Sequence, residues 1–189
     1  MSDLIAVCDL EATCWEDGET QTIDRMEIIE IGCLLTDFEG NEIDEFECFV
    51  RPVQNPVLTE FCTELTTIRQ ADVDNAPEFC DAMHTLDNWL GGRSICWASW
   101  GRFDFKLLLN QQNRYGEKFQ FLAVPHLNIK DAWRRSTRHS RNTDLYQALA
   151  FHGLEFDGVP HRALTDAKNT AKLIPFIPRS NIESEMRAK

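Results

Sequence analysis

Two acids, Asp9 and Glu11, sit at the end of the short apolar run Leu4–Leu10. If that run is a buried strand, residues two apart leave the same face, which sets the two carboxylates about 6–7 Å apart. Such a pair repels unless positive charge lies between its members. A divalent cation that prefers carboxylate oxygens, such as Mg²⁺, meets that need and keeps waters that a substrate phosphate can replace. A strand end fraying into solvent would carry the same two residues with no ion. Three more side chains could extend the site. Asp104 follows a second apolar run, Ile95–Trp100, where a helix would begin; an Asp in a first turn also favours the helix dipole in any protein. His161 belongs to a stretch broken by Gly158 and Pro160, and Asp166 lies five positions on, early in an apolar helix. A charge there needs a partner. A loop histidine titrates near neutrality and can take a proton from water, although a surface His beside a surface Asp would read the same way.

The elements that must position these residues can be read in outline. Leu4–Leu10 predicts a buried strand, residues 11–25 with Gly18 a loop, and Met26–Thr36 a second strand. Residues 37–41 supply a turn. Phe46, Cys48 and Val50 alternate with Glu45, Glu47 and Phe49, the period of a half-exposed third strand. Three strands so joined suggest an antiparallel meander. Arg51–Val57 carries two prolines and must be irregular. Phe79, Met83, Leu86 and Leu90 fall at helical spacing, with Pro77 suited to the first turn. After the strand Ile95–Trp100 a helix is expected from about Arg102, with Leu107 and Leu108 inward. His126–Lys130 reads as a last strand. Leu145, Ala148 and Leu149 mark a helix capped by Asn142 or Thr143, and Ala163–Ile177 a buried helix. The expectation is an α/β domain over residues 1–177, a mixed five-stranded sheet flanked by helices, with a polar tail over 178–189.

The 189 residues suit one domain with a sizeable core, and 43% hydrophobic with 26% charged residues describes a folded chain. No apolar run is long enough to span a bilayer, and the start Met-Ser-Asp lacks the features of a signal peptide. Seven cysteines, an odd number without a CxxC pair, read as reduced structural thiols. A cytoplasmic protein with no membrane partner is expected. The net charge of −12 argues against a nucleic-acid ligand until its distribution is considered. Residues 1–100 hold 4 Lys/Arg against 22 Asp/Glu, and residues 101–189 hold 15 against 9. Chance clustering would explain this, as would a cationic face beside an acidic site.

Taken together, Asp9-x-Glu11, Asp104 after a strand, and His161-x₄-Asp166 resemble the DEDDh (DnaQ-like) 3′–5′ exonucleases of the RNase H-like superfamily. Longer strings resemble the Eri-type, 3′ histone-mRNA exonuclease-like branch: DLEATCWE at 9–16, EIIEIG at 27–32, FVRPVQNPVLTEFCTELTTIRQ at 49–70, WASWGRFD at 97–104 and HRALTDAKNTA at 161–171. Motifs in order from about Leu4 to Phe176 are far more specific than a lone DxE. The resemblance implies an RNase H-like fold and two Mg²⁺ or Mn²⁺ ions. Asp9 would bridge them, Glu11 and Asp166 would complete the shell of the first ion, and Asp104 would hold the second, largely through water. Two ions about 3.5–4 Å apart stabilise both the attacking and the leaving oxygen. His161 would be the general base. Phe61 and Phe103 would stack on the terminal base, with Leu65, Thr66 and Thr13 beside that nucleotide. The basic cluster Arg134, Arg135, Arg138, His139 and Arg141, which reads as a polar segment after Trp133, would then be a candidate for backbone phosphates as much as a solvated face. Thr165 departs from the pattern, standing where many relatives carry a second Asp. The implied reaction is release of nucleoside 5′-monophosphates from a free 3′ end of single-stranded RNA or DNA, with RNA favoured. The alternatives are a nuclease-fold proofreading or binding subunit, and a hydrolase of very short oligonucleotides.

Overall fold

The computed structural model describes residues 4–17 and 21–187; Gly18, expected in a loop, lies outside them. The meander forms as expected, from β1 (Leu4–Ala12), β2 (Ile28–Thr36) and β3 (Glu42–Phe49). Strands β4 (Ile95–Ser99) and β5 (His126–Asn128) add in parallel on the other side of β1, giving the order β3-β2-β1-β4-β5. The central strand is therefore the one that ends in Asp9 and Glu11. Its period of two divides the core. Ala6, Cys8 and Leu10 pack with Phe79, Met83, Leu86 and Leu107, from α3 (Phe79–Leu90) and α4 (Phe103–Tyr115). Ile5 and Val7 pack on the opposite face with Trp133, Leu149 and Ala167, from α6 (Ile129–Thr137), α7 (Leu145–Phe151) and α8 (Ala163–Ala171). Asp9 and Glu11 continue the second set, so they emerge on the α8 face. A register shift between Glu11 and Ala12 marks the strand end, a common irregularity beside functional sites.

The irregular segment 51–57 is held by Glu27, which is 0% exposed and accepts the N–H groups of Val53 (2.9 Å), Gln54 (2.9 Å) and Asn55 (2.7 Å). Two short helices that the sequence did not signal follow, α1 (Glu60–Thr66) and α2 (Gln70–Asp74). A third, α5 (Gln120–Ala123), precedes β5.

Several boundaries differ from expectation, each for a local reason. Strand β5 stops at Asn128 instead of reaching Lys130, because the Asn128 side chain accepts the Asp131 N–H at 3.1 Å and starts α6. Arg134 and Arg135, expected in a polar segment after Trp133, are thereby helical. Helix α7 is capped by Asp144, not by Asn142 or Thr143: the Asp144 carboxylate accepts the Gln147 N–H at 2.8 Å, and Gln147 answers with its own side chain. Helix α8 ends at Ala171, and a single 3₁₀ turn, Ile174–Phe176, replaces its expected continuation to Ile177. Pro175, which has no N–H to donate, sits in that turn. The expected polar tail is also corrected. Arg179–Arg187 forms α9, which packs on α6 and β5 with Ile182 and Glu185 buried.

Candidate active site

Strand β1 presents Asp9 and Glu11 to the N-terminal turns of α8, which carry Asp166. One ligand oxygen from each of these three carboxylates lies within 4.8 Å of the others. The approach depends on Gly32 of β2, the register partner of Asp9. A Cβ at Gly32 would fall 2.0 Å from the Leu164 nitrogen and 2.3 Å from the Ala163 carbonyl carbon, so any larger residue would push α8 off the sheet. Asp104 arrives from the first turn of α4, directly after β4, at the carboxyl ends of the parallel strands β1 and β4. Sheets of this kind place ligands there.

These four acids and His161 line one cleft of about 330 Å³. His161 is exposed at its edge and holds a left-handed backbone (φ 57°), uncommon for a residue with a side chain. The turn before it is close-packed. Gly158 (φ 94°) lies where a Cβ would come within 2.9 Å of Cγ2 of Thr165, so the residue that departs from the family pattern packs against this loop. Asp166 closes the turn by accepting the Arg162 N–H at 3.2 Å.

Glu11 and Asp104 are buried and Asp9 and Asp166 half-buried, close enough to repel one another. Burial, then repulsion from Asp104, Glu11 and Asp166, pushes Asp9 well above the usual carboxylate range. Burial, with Asp166, Glu30 and Asp104 nearby, pushes Glu11 up to about 9. Burial raises Asp104 to about 7, although N–H groups of Asp104 itself and Leu10 and the Ser99 hydroxyl pull the other way. Burial raises Asp166 as well, opposed by the Arg162 N–H and the charge of His161. Adjacent buried carboxylates with few protein donors form a hard-oxygen donor set suited to divalent cations.

The remaining expected residues separate into two groups. Phe103 and Leu65 line the cleft and are 45% and 37% exposed. Phe61 is half-buried against Cys14, Cys62 and Ile68 and does not line the cleft. Thr13 and Thr66 are turned inward. The Thr13 hydroxyl accepts the Glu27 N–H at 3.0 Å, while the Thr66 hydroxyl donates to the Cys62 carbonyl at 2.8 Å and accepts the Ile68 N–H at 3.2 Å. Neither residue lines the cleft. The basic cluster divides too. Arg134 pairs with Asp131 at 2.7 Å, and Arg135 pairs with the buried Glu185 of α9, whereas Arg138 and Arg141 are exposed and make no ion pair among the described residues. Sequence reasoning missed Trp100, which lines the cleft with Leu145, Met26 and Gln21. The available signal was an aromatic residue at the carboxyl end of an apolar run, just before Gly101.

The Exonuclease (RNase_T) family model matches residues 6–174. The chain belongs to this exonuclease family. Over 210 residues it is 31% identical to the 3′–5′ exonuclease eri1 of Schizosaccharomyces pombe, covering 96% of this chain and 70% of that protein. It is 32% identical to the 3′–5′ exoribonuclease 1 of Rattus norvegicus over 99% of its own length, but spans 56% of that relative. Among solved structures, the nuclease domain of 3′hExo, a DEDDh family member bound to rAMP, superposes with a TM-score of 0.86. The identity is 29%, over 96% of this chain and 94% of that one. Family and fold thus agree with a hydrolytic 3′–5′ exonuclease that uses divalent metal at an acidic cluster. Among the described residues no helix is long and apolar enough to cross a membrane.

Proposed function

We propose that this chain removes nucleotides one at a time from the 3′ end of single-stranded RNA or DNA and releases nucleoside 5′-monophosphates. The observation that carries this reading is the convergence of Asp9, Glu11 and Asp166 within 4.8 Å, with Asp104 and His161 in the same cleft. The four acids would hold two Mg²⁺ or Mn²⁺ ions. Divalent ions there supply charge neutralisation for the attacking and leaving oxygens of an in-line phosphodiester displacement.

The chain's own side chains perform the rest. His161, at the edge of the cleft, accepts the proton of the attacking water through its imidazole. Phe103, Leu65 and Trp100 provide an apolar wall on which a terminal base stacks, and such contact tolerates every base because each has a π-face. RNA is favoured over DNA because a relative carries an exoribonuclease name and the matching nuclease domain holds rAMP. Seven free cysteines suit a reducing compartment such as the cytoplasm.

The test uses 5′-labelled RNA and DNA oligomers, from dinucleotides upward, with Mg²⁺ or Mn²⁺ and with chelator. A metal-dependent ladder shortened from the 3′ end, absent in Asp9→Ala and His161→Ala, is expected. Internal cleavage or metal-independent cleavage contradicts the reading. Turnover confined to the shortest substrates would favour an oligonucleotide hydrolase instead.

A further inference from the structure

Glu30 is 0% exposed, stands opposite Glu11 in the β1–β2 register, and adds to the repulsion on Glu11. A further buried carboxylate beside an acidic cluster is costly unless it is fully paired. The pairing is specific. Arg162 grips Glu30 with a fork, Nε to Oε1 at 3.0 Å and to Oε2 at 3.2 Å, and Nη2 to Oε1 at 2.6 Å. The second oxygen also accepts the Ala163 N–H at 2.8 Å. Glu30 thus takes up both a side chain and the first backbone N–H of α8. The two residues it holds directly follow His161, whose backbone is in the left-handed region. Such a conformation persists only where the surroundings over-determine it. A second constraint acts at the same place, since Gly32 admits Ala163 and Leu164 against the β2 backbone. Arg162 is further boxed by Glu47 at 3.6 Å and by the Phe49 ring at 5.4 Å.

We propose that Glu30 and Arg162 are positioning residues for the reaction proposed above: their bidentate pair on β2 fixes the backbone that aims His161 into the cleft and seats Asp166 beside Asp9. Neither residue lines the cleft. The pair sets the placement of two groups that do, and misplacement by about 1 Å can cost about a hundredfold in rate.

Arg162→Met, Glu30→Gln, Arg162→Lys and the Glu30→Gln/Arg162→Met double variant test this. In Arg162→Met we expect kcat to fall by about 30- to 100-fold with KM held within about twofold, because the base-binding wall is untouched. Arg162→Lys, which keeps the charge and loses the fork, should lie between it and the unaltered protein. The double variant should lose no more than the worse single one, as members of one unit do. Hydrogen exchange over residues 159–166 should accelerate by about tenfold or more in Arg162→Met, while residues 4–10 of β1 stay protected. A folded Arg162→Met protein with unchanged kcat and exchange overturns the proposal, as does a loss confined to KM or a fully additive double variant. Should Glu30→Gln fail to fold, Arg162→Met still decides, because that side chain is 28% exposed. If the unaltered protein shortens no strand, the exonuclease reading fails by itself, and the exchange measurement alone still confirms or overturns the clamp.

Discussion

Glu27, just before β2, and Glu30, within it, are both 0% exposed, more deeply buried than the acids of the neighbouring cleft. Glu27 accepts three backbone N–H groups, and Glu30 accepts the Arg162 fork and one more N–H. Across one strand spacing, Glu11 (8% exposed) and Asp104 (5% exposed) are nearly as buried, and with Asp9 they face one another. Their pKa values rise in consequence, to about 9 for Glu11 and about 7 for Asp104. Burial of charge is therefore common to both regions and does not mark function. What distinguishes them is where the compensating charge or donor comes from: the fold itself for Glu27 and Glu30, and, under the proposed function, a divalent cation for the cleft acids.

The largest expected effect removes a carboxylate from the second group. Asp9→Ala or Asp166→Ala should lower 3′-shortening activity by about a thousandfold or more, measured on labelled RNA at saturating Mg²⁺. In Asp9→Ala the melting temperature should hold or rise, since a repulsive charge has gone. Glu27→Ala should do the reverse. Three N–H groups lose their acceptor, which should cost about 2–4 kcal/mol in urea unfolding, with kcat of the folded protein preserved. If Asp9→Ala unfolds the protein or Glu27→Ala abolishes turnover alone, the comparison breaks.

The same contrast predicts a pH dependence. The folded pKa values of Glu11 and Asp104 exceed the about 4 of an unfolded carboxylate. Folding therefore favours their protonated forms. That contribution is complete below about pH 4 and is lost as pH rises through about 7 for Asp104 and then about 9 for Glu11. In chelator, the melting temperature should fall by about 5 °C or more between pH 5 and pH 9, and Mg²⁺ should remove most of that fall. A flat profile in chelator contradicts it.

Smaller effects separate the cleft wall from its surroundings. Phe103→Ala should raise KM for RNA by about tenfold, the scale of one base–aromatic contact, with little change in stability because the ring is 45% exposed. Thr66→Val should leave KM unchanged. The smallest effect concerns Arg138 and Arg141. Replacing either by Ala should flatten the salt dependence of RNA binding by about 0.7 in log–log slope for each phosphate that the arginine neutralises. Arg135→Ala should instead destabilise the protein by leaving the buried Glu185 with only the more distant Arg102. Equal salt slopes for all three variants would remove these arginines from the phosphate path.

Much of this was legible because the signals were local. The Ile- and Leu-rich runs that became β1 and β2, and the spacing of Phe79, Met83, Leu86 and Leu90, require no knowledge of distant residues. Asp9 and Glu11 could be argued from strand period alone. Asp104, His161 and Asp166 could not, because their meeting depends on Gly32 admitting α8 and on β4 lying beside β1. Where neighbouring residues offered the same chemistry, the choice was tertiary. Asn142, Thr143 and Asp144 could each cap α7, and Gln147 decided among them. Ile129 is apolar in a strand or a helix, and the Asn128 cap made it helical. Helix α9 is polar by composition because it buries little beyond Ile182 and Glu185, and the partners of Glu185 are Arg102 and Arg135, remote in sequence. The inward hydroxyls of Thr13 and Thr66 carry no sequence signal at all.

Calorimetric titration of the purified protein with Mn²⁺ at pH 7, in buffers of different ionisation enthalpy, separates the cleft acids, which need a cation, from Glu27 and Glu30, which do not. Binding should be accompanied by proton release, since the raised carboxyls must ionise to ligate. Binding should be lost in Asp9→Asn and kept in Glu27→Gln. Absence of binding, or equal affinity in unaltered protein and Asp9→Asn, would contradict this separation.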